Sequence, residues 1–207
     1  MGHAGMATAA LRHLRAQGPL PSPPEAPPRM LRAVRAGEPL PPPPEEFRHA
    51  LGHFASGVTV ITAPGGDDGE PPAGFACQSF ASLSLEPPLV VFMVGRTSTT
   101  WPRIARAGVF CVNILSAQQA EICRNFAVSG SRVRDKFSGV PYEPSPLTGS
   151  PRIGGVAAWV DCTIHAVHTG GDHLIVVGGV LALGTDETAA EAGPLLFHRG
   201  AFGTFEG

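Results

Sequence analysis

The spacing of apolar and polar residues predicts a chain built mainly of short strands. Residues 158–167 alternate in character, with Val160 and Cys162 on one face and polar residues on the other. Residues 89–94 are apolar without a break, a pattern typical of a strand buried on both faces. The Gly-Gly pair at 178–179 indicates a bulge or a close backbone approach. Strands are predicted over residues 58–62, 74–82, 89–94, 110–115, 158–167 and 174–183.

Helical signals lie between some of these strands. Phe47, Ala50, Leu51 and Phe54 recur at i, i+3, i+4 and i+7, one face of a helix that Gly57 is placed to end. Further helices are predicted over residues 101–107, before Gly108, and 117–126, where Ser116 and Gln119 form a capping box. Short strands separated by turn residues, with about three helices, favour a mainly β fold, a small antiparallel barrel with a few peripheral helices.

Residues 1–44 differ in composition from the rest and predict a disordered leader before one folded domain at 45–207. The stretches LPSPPEAPPRM and EPLPPPP are rich in proline, which removes backbone donors and helical freedom. Arginines give the segment positive charge, as in a transit peptide, but the prolines and the scarcity of serine argue against one. We expect the leader to be dispensable for chemistry.

Composition and charge narrow the classes of partner. With 207 residues, 43% of them hydrophobic, and a formal charge of −2, we expect a soluble chain able to bury one core. The near-neutral charge gives no reason to propose nucleic acid or an anionic membrane as partner. No run approaches the roughly 18 apolar residues that a membrane span needs. Four scattered cysteines without a CxxC pair indicate buried thiols in a reducing cytoplasm.

Motifs for several common chemistries are missing from the sequence. There is no GxGxxG after a strand and no GxSxG, and a Walker A loop is excluded because Lys136 is the only lysine. His165, His168 and His173 form a rival metal site, but they lack a short ligand motif and we expect no metal. No pair of carboxylates at catalytic spacing is visible either, so the sequence shows no acid, base or nucleophile constellation.

A hydroxyl-rich loop follows the apolar run at 89–94. The residues Gly-Arg-Thr-Ser-Thr-Thr at 95–100 stand just before a predicted helix. Hydroxyl groups, free backbone N–H groups and one cation at that position would suit a phosphate. The same residues would also serve as an ordinary N-cap, and both interpretations stay open. Residues 129–134 are polar and could form a lid near a ligand.

The run GFACQSFASLSLEPPLVVF at 74–92 has companions in a fixed order along the chain. These are FxxALGxFASGVTVIT at 47–62, FCVNIL at 110–115, DKFSGV at 135–140, GGDHLIVVGGV at 170–180 and PLLFHRGAF at 194–202. Together they resemble the flavin reductase family, the reductase partners of two-component flavin monooxygenases. The resemblance implies an FMN-binding split β-barrel of Greek-key type, normally a homodimer. It also implies reduction of FMN or FAD by NADH or NADPH, with reduced flavin passing to an oxygenase that hydroxylates an aromatic ring.

The resemblance places both cofactors on named segments. Backbone N–H groups of residues 76–79 would face the pyrimidine edge of the flavin, where negative charge gathers on reduction. The expected flavin contacts are Gly74, Phe75, Ala76, Cys77, Gln78, Ser79, Met93, Val94, Gly95, Arg96, Ser98, Thr99 and Thr100. The expected NAD(P)H contacts are Gln78, Ser79, Asp172, His173 and Phe202. Asp172 would fix the tautomer of His173, the one candidate for a catalytic role, although no catalytic residue is certain.

The chain departs from the common family pattern at two places. Cys77 and Gln78 stand where many relatives have Thr and Asn, a form that resembles the subgroup serving actinobacterial phenol-type and secosteroid hydroxylases. His198 and Phe202 stand where many relatives have Tyr, and Phe202 can stack on a ring but cannot donate a hydrogen bond.

Two rival functions come from other classes of protein. One is a flavin carrier or redox sensor without turnover, and the other is a lipocalin-like barrel that binds a ligand but no flavin. A reductase is favoured because the flavin stretch and the Gly-Asp-His motif at 171–173 occur together. The sequence leaves open the choices of FMN or FAD and of NADH or NADPH, and the identity of the oxygenase.

Overall fold

The computed structural model describes residues 41–66, 69–128 and 135–205. The strands are β1 Ser56–Gly57, β2 Thr59–Ala63, β3 Ala73–Cys77, β4 Ala81–Ser84, β5 Leu89–Gly95, β6 Val109–Ile114, β7 Tyr142–Pro144, β8 Pro151–Ile153, β9 Ala158–Gly170, β10 His173–Thr185, β11 Leu196–His198 and β12 Ala201–Gly203. The helices are α1 Pro44–Gly52, α2 Trp101–Ala107, α3 Ala120–Ala127 and α4 Glu187–Ala190, with a 3₁₀ turn at Ala117–Gln119.

Seven strands form one antiparallel sheet in the order β3-β2-β6-β9-β10-β5-β4. The sheet curls until β3 meets β5, where the Ser79 hydroxyl donates to Met93 O and accepts from Met93 N, each at 2.9 Å. Strands β1, β11 and β12 form a second small sheet, and β7 pairs with β8. This confirms the predicted antiparallel barrel with peripheral helices.

Aromatic rings fill the interior of the barrel. Phe92 packs edge-on against Phe110, with ring centroids 5.2 Å apart, and also touches Phe75 and Trp101. Gly178 makes room for this stack, because a Cβ there would lie 2.4 Å from Phe110 Cζ. The register of β10 shifts at this glycine. The predicted bulge and close approach are both confirmed.

A second core lies between the barrel and α3. Phe126 of α3 packs edge-on against Phe137, with centroids 4.9 Å apart, and both rings are buried with Leu115 and Leu195. The predicted capping box precedes this helix, because Ser116 N donates to Gln119 Oε1 at 3.1 Å. It opens the 3₁₀ turn that leads into α3, so the box is confirmed.

Two strand predictions are wrong in detail. Residues 74–82 are not one strand, since β3 ends at Cys77 and β4 begins at Ala81. The chain breaks there because Ser79 turns to bond Met93 across the barrel seam. Strand β5 is not buried on both faces. Its buried residues alternate with partly open ones, and Met93 is 41% exposed, because one face of β5 opens towards a cavity.

The first helix ends earlier than predicted. Its last residue is Gly52, whose carbonyl accepts from Arg199 N at 3.0 Å. Gly57 is not a helix terminator but part of β1, because it pairs with Leu196. Helix α2 ends as predicted at Gly108, which adopts a φ of 69°.

Two predicted segments lie wholly or mostly outside the described residues. The proposed leader at 1–44 lies outside the described residues up to position 40, and the proposed lid at 129–134 lies wholly outside them. Both stay predictions. None of the helices in the described ranges is long and apolar enough to cross a membrane.

Candidate functional site

The predicted site residues converge on one cavity of about 610 Å³ between β3, β5, α3 and the β11–β12 hairpin. Thirteen of them line it: Phe75, Ala76, Cys77, Gln78, Ser79, Met93, Val94, Gly95, Ser98, Thr99, Thr100, His173 and Phe202. Three segments distant in sequence, at 75–79, 93–100 and 173, therefore meet at one place. We call this space the strand-edge cavity, because β3 is the last strand of its sheet.

Three predicted residues do not line the strand-edge cavity. Gly74 packs under α3 instead, since a Cβ there would lie 2.6 Å from Phe126 Cε1. Arg96 is exposed, and its backbone N–H donates to Asp172 O at 3.0 Å. Asp172 is exposed next to His173, which it contacts directly.

The side chain of Ser79 is occupied by the barrel seam. Its hydroxyl exchanges two hydrogen bonds with Met93 and lies 3.3 Å from the Cys77 sulfur. Burial raises the pKa of the Cys77 thiol, so this sulfur stays protonated and unreactive. The exposed amide of neighbouring Gln78 makes no hydrogen bond with a described residue, which leaves it available to a ligand.

The hydroxyl-rich loop is only partly as expected. Ser98 Oγ accepts from Trp101 N at 3.2 Å, so Ser98 acts as a cap for α2. Arg103 N donates to Thr100 O at 3.1 Å, and Pro102 has no N–H. The backbone N–H groups of Thr97, Thr99 and Thr100 bond no described residue, whereas that of Ser98 donates to Gly95 O at 2.9 Å, so the assignment of this loop to a phosphate stays a prediction. The loop offers to the cavity these N–H groups and the hydroxyl groups of Thr97 and Thr99, which also bond no described residue.

His173 is the first residue of β10 and lies opposite Gly95 of β5. Its Nδ1 lies 2.8 Å from Asp172 Oδ1, and the imidazole is about half exposed at 50%. The hydrogen bond from His173 and its nearby charge lower the pKa of the Asp172 carboxyl. A carboxylate beside Nδ1 favours the tautomer with its proton there, which leaves Nε2 as the acceptor. A Cβ on Gly95 would lie 3.9 Å from Nε2, so the missing side chain keeps this nitrogen open.

Sequence reasoning missed Lys136 and Phe197 as cavity residues. Lys136 Nζ donates to Gly74 O at 3.2 Å and Phe126 O at 3.0 Å. Burial lowers the pKa of this ammonium group. Its signal in the sequence was its status as the sole lysine, within the DKFSGV motif. Phe197 packs edge-on against Phe202, with centroids 5.5 Å apart.

Cysteine and histidine clusters do not form a metal centre in the described ranges. No group of three His, Cys, Asp or Glu residues there could hold a metal ion. All four cysteines are free and buried. Burial and the Asp161 carboxylate raise the pKa values of Cys111 and Cys162 to about 12.

A second cavity of about 540 Å³ lies at the other small sheet, β7–β8. Arg152 stacks over the Trp159 ring at 5.1 Å and pairs with Glu143 at 2.5 Å in its wall. None of the predicted site residues lines it. The predicted site residues therefore lie at the strand-edge cavity and not at this second one.

Comparison with known proteins gives consistent matches. The flavin reductase like domain family matches residues 51–206. The reductase subunit HsaB of a flavin-dependent monooxygenase from Rhodococcus jostii (strain RHA1) is 50% identical over 156 residues, covering 75% of each chain. Nitrilotriacetate monooxygenase component B from Mycobacterium thermoresistibile has a TM-score of 0.72 and 46% identity, over 78% of this chain and 86% of its own.

A third relative was solved in complex with NAD and FAD fragments, the NADH:FAD oxidoreductase SgcE6 of Streptomyces globisporus C-1027. Its TM-score is 0.70 at 34% identity, over 78% of this chain and 92% of its own. The Rhodococcus relative confirms the actinobacterial subgroup inferred from Cys77 and Gln78. The family match spans most of the sequence, and the relatives exceed 30% identity over about three quarters of it. This chain belongs to the flavin reductase family.

Proposed function

We propose that the strand-edge cavity binds both substrates of an NADH-dependent flavin reductase, the flavin along β3 and β5 and the nicotinamide beside His173. The protein is an oxidoreductase, a flavin reductase component of a two-component monooxygenase, with flavin and NADH as its cofactors. The observation that carries the site assignment is the convergence of residues 75–79, 93–95, 97–100 and 173 on one cavity.

The shape of the cavity fits a flavin. Its volume of about 610 Å³ lies in the usual range for cofactor sites, roughly 300–1,000 Å³. Strand β3 is a sheet edge, so its outward backbone groups are available to the polar edge of a ring. Small residues Ala76 and Gly95 allow close approach, while Met93 and Val94 provide apolar contact. The hydroxyl groups of the 97–100 loop are donors suited to the flavin phosphate.

The nicotinamide half of NADH would lie against the opposite wall. His173 Nε2 lies next to Gly95, and Gln78 offers an unbonded amide. Phe202 also lines the cavity, with the Arg124 guanidinium over its ring at 5.1 Å. When bound, the two cofactors supply the hydride donor and acceptor. The chain's own residues orient them and exclude water, since no acid or base of the protein is needed for hydride transfer.

The product of this reaction leaves for another protein. We propose that reduced flavin passes to an oxygenase component that hydroxylates an aromatic ring; the name of the Rhodococcus relative, a reductase subunit of a flavin-dependent monooxygenase, supports the oxygenase partner. Four free, buried cysteines support a reducing cytoplasm as the compartment.

We also propose that the protein is a homodimer. The apolar face of α1 is uncovered, with Leu51 57% exposed; Phe54, just after the helix, is 79% exposed, and Leu183 near the end of β10 is 68% exposed. Exposed apolar surface of this kind commonly marks a protein interface. Light scattering at assay concentration tests the proposal. A mass of twice the 21.5 kDa chain supports it, and the mass of one chain contradicts it.

The function is tested by steady-state oxidation of NADH and NADPH with FMN, FAD or no flavin added. Turnover that depends on added flavin establishes the reductase and identifies the preferred pair. Flavin binding without turnover would support the carrier or sensor. Neither binding nor turnover would contradict the proposed function.

A further inference from the structure

Met93 lies within β5, and its side chain lines the strand-edge cavity. It is 41% exposed, whereas its strand neighbours Phe92 and Val94 are buried. Both backbone groups of Met93 are bonded to Ser79 Oγ at 2.9 Å, so the backbone that carries the thioether is fixed. The chain has four methionines, and Met93 is the only one in the described ranges. An exposed thioether therefore stands in the wall of this cavity.

The other sulfur atoms in the described part of the chain are protected from oxidation. All four cysteines are free and buried. A cysteine reacts readily with peroxide only as the ionised thiolate, and burial raises the pKa values of all four thiols. A thioether has no proton to lose, so its exposure decides how readily it is oxidised. By this criterion Met93 is the most accessible oxidisable sulfur among the described residues.

The proposed reaction supplies an oxidant close to this sulfur. Dioxygen takes two electrons and two protons from reduced flavin that no oxygenase consumes, which yields oxidised flavin and hydrogen peroxide. Hydrogen peroxide then transfers one oxygen atom to the sulfur of Met93. The S–O bond forms as the O–O bond breaks, the sulfur loses two electrons, and the remaining oxygen leaves as water.

Oxidation would change the wall where a flavin ring makes apolar contact. Methionine sulfoxide is polar, whereas the thioether is apolar and flexible. The backbone N–H of Met93 cannot satisfy the new oxygen, because it already donates to Ser79 Oγ. Val94, the next residue of the wall, has only an aliphatic side chain. A flavin packed on this wall would remove water from the sulfoxide oxygen, which opposes binding.

We propose that Met93 is an oxidation site that lowers the flavin affinity of the reductase when reduced flavin accumulates without an oxygenase to use it. The proposal rests on the proposed function, because it assumes that flavin is reduced in the strand-edge cavity. The modification is reversible, since sulfoxide reductases return methionine sulfoxide to methionine. Turnover that is uncoupled from the oxygenase therefore produces the signal that slows further turnover.

The modification is tested by peptide mass spectrometry of the full chain. Trypsin cleaves after Arg48 and Arg96, and the peptide between them contains Met93 as its only methionine. One sample is incubated with NADH and FMN in air without an oxygenase, a second also contains catalase, and a third receives hydrogen peroxide without NADH. We expect one added oxygen atom on Met93 in the first and third samples and much less in the second. Fragment ions distinguish Met93 from Cys77, which lies in the same peptide.

The effect on binding is measured by fluorescence-quenching titration of FMN against peroxide-treated and untreated protein. Oxidation of Met93 should raise the Kd for FMN by about 3- to 10-fold, because the open side of the cavity leaves the sulfoxide partly hydrated. Sulfoxide reductase should restore the untreated Kd. In the matched variant Met93→Leu, the treated and untreated Kd values should agree with each other. Met93→Gln has a polar side chain of similar length and should raise the Kd without peroxide.

Several results would overturn the proposal. Met93 that stays unmodified while Met30 in the same sample gains oxygen would show that the cavity wall protects it. Full modification of Met93 with an unchanged Kd would show that it does not control binding. Equal losses of affinity in wild type and Met93→Leu would place the damage at another residue. Oxidation during turnover that catalase does not reduce would exclude hydrogen peroxide as the oxidant.

Folding of the variants is checked by circular dichroism. If Met93→Leu does not fold, failure of sulfoxide reductase to restore the wild-type Kd overturns the proposal in its place. Wild type that binds no FMN before treatment would contradict the proposed function itself. FMN binding that peroxide leaves unchanged would overturn only the oxidation of Met93 as a control on binding, so the two failures are distinguishable.

Discussion

The closure of the barrel beside the candidate site depends on one hydroxyl group. Ser79 Oγ donates to Met93 O and accepts from Met93 N, both at 2.9 Å, and these bonds join the chain just after β3 to β5. Ser79→Ala removes both. A neutral hydrogen bond contributes about 0.5–1.5 kcal/mol net, and partial exposure of this seam favours the lower half of that range. We therefore expect the free energy of unfolding to fall by about 1–2 kcal/mol.

The assay is urea unfolding followed by circular dichroism, with a thermal scan alongside. Each 1 kcal/mol should lower the Tm by about 2–4 °C in a domain of this size. Ser82→Ala is the matched control, because Ser82 is exposed on β4 and its side chain bonds no described residue. Ser79→Thr keeps the hydroxyl and should recover much of the loss. If Ser79→Ala and Ser82→Ala are equally stable, the seam does not depend on this hydroxyl group.

Three further predictions concern the core, the cysteines and the nicotinamide wall. Gly178→Ala should lower the free energy of unfolding by about 1–3 kcal/mol through overpacking, since its Cβ would lie 2.4 Å from Phe110 Cζ. The Cβ of Gly179→Ala would meet only Thr163 Oγ1, at 3.5 Å, so the free energy of unfolding should hardly change. Urea unfolding of both variants measures the difference, and equal losses of stability would contradict the prediction. Burial raises the pKa of Cys111 and Cys162 from 9.0 to about 12. Above pH 9 the unfolded chain therefore releases protons that the folded chain keeps, and the free energy of unfolding should fall as the pH rises. Cys162→Ala should flatten that decline in denaturant titrations at successive pH values, and an unchanged slope would refute the assignment. His173→Ala should raise the KM for NADH while leaving flavin affinity nearly intact. His168 is exposed on β9, so His168→Ala should change neither quantity. An unchanged KM in His173→Ala would mean that His173 does not contact the nicotinamide.

Local signals in the sequence were sufficient for most elements of the barrel. Alternation placed β9, and the Gly-Gly pair at 178–179 marked the bulge in β10, because both signals depend on neighbours along the strand. The capping box at Ser116 was visible for the same reason. The break between β3 and β4 was not, because it is caused by Met93, fourteen residues away.

The errors in the candidate site have the same origin in long-range contacts. Lys136 meets Gly74 across 62 residues of sequence, and no local pattern reports such a pairing. Asp161 was assigned to a polar strand face, yet it is fully buried and accepts hydrogen bonds from Leu147 N and Thr148 N. Its partners come from a loop whose path the periodicity of β9 does not determine.

The central claim is that hydride passes between NADH and flavin inside the strand-edge cavity. The most direct test is flavin-dependent NADH oxidation by wild type, Gly95→Ala and Gly95→Leu, with thermal unfolding as the control. Gly95 has ordinary strand geometry, and its Cβ would point into the space next to His173 Nε2 and Thr97 Oγ1, at 3.9 and 4.0 Å. We expect flavin-dependent turnover in wild type, a partial loss in Gly95→Ala and an almost complete loss in Gly95→Leu at an unchanged Tm. Full activity in a folded Gly95→Leu protein would contradict it.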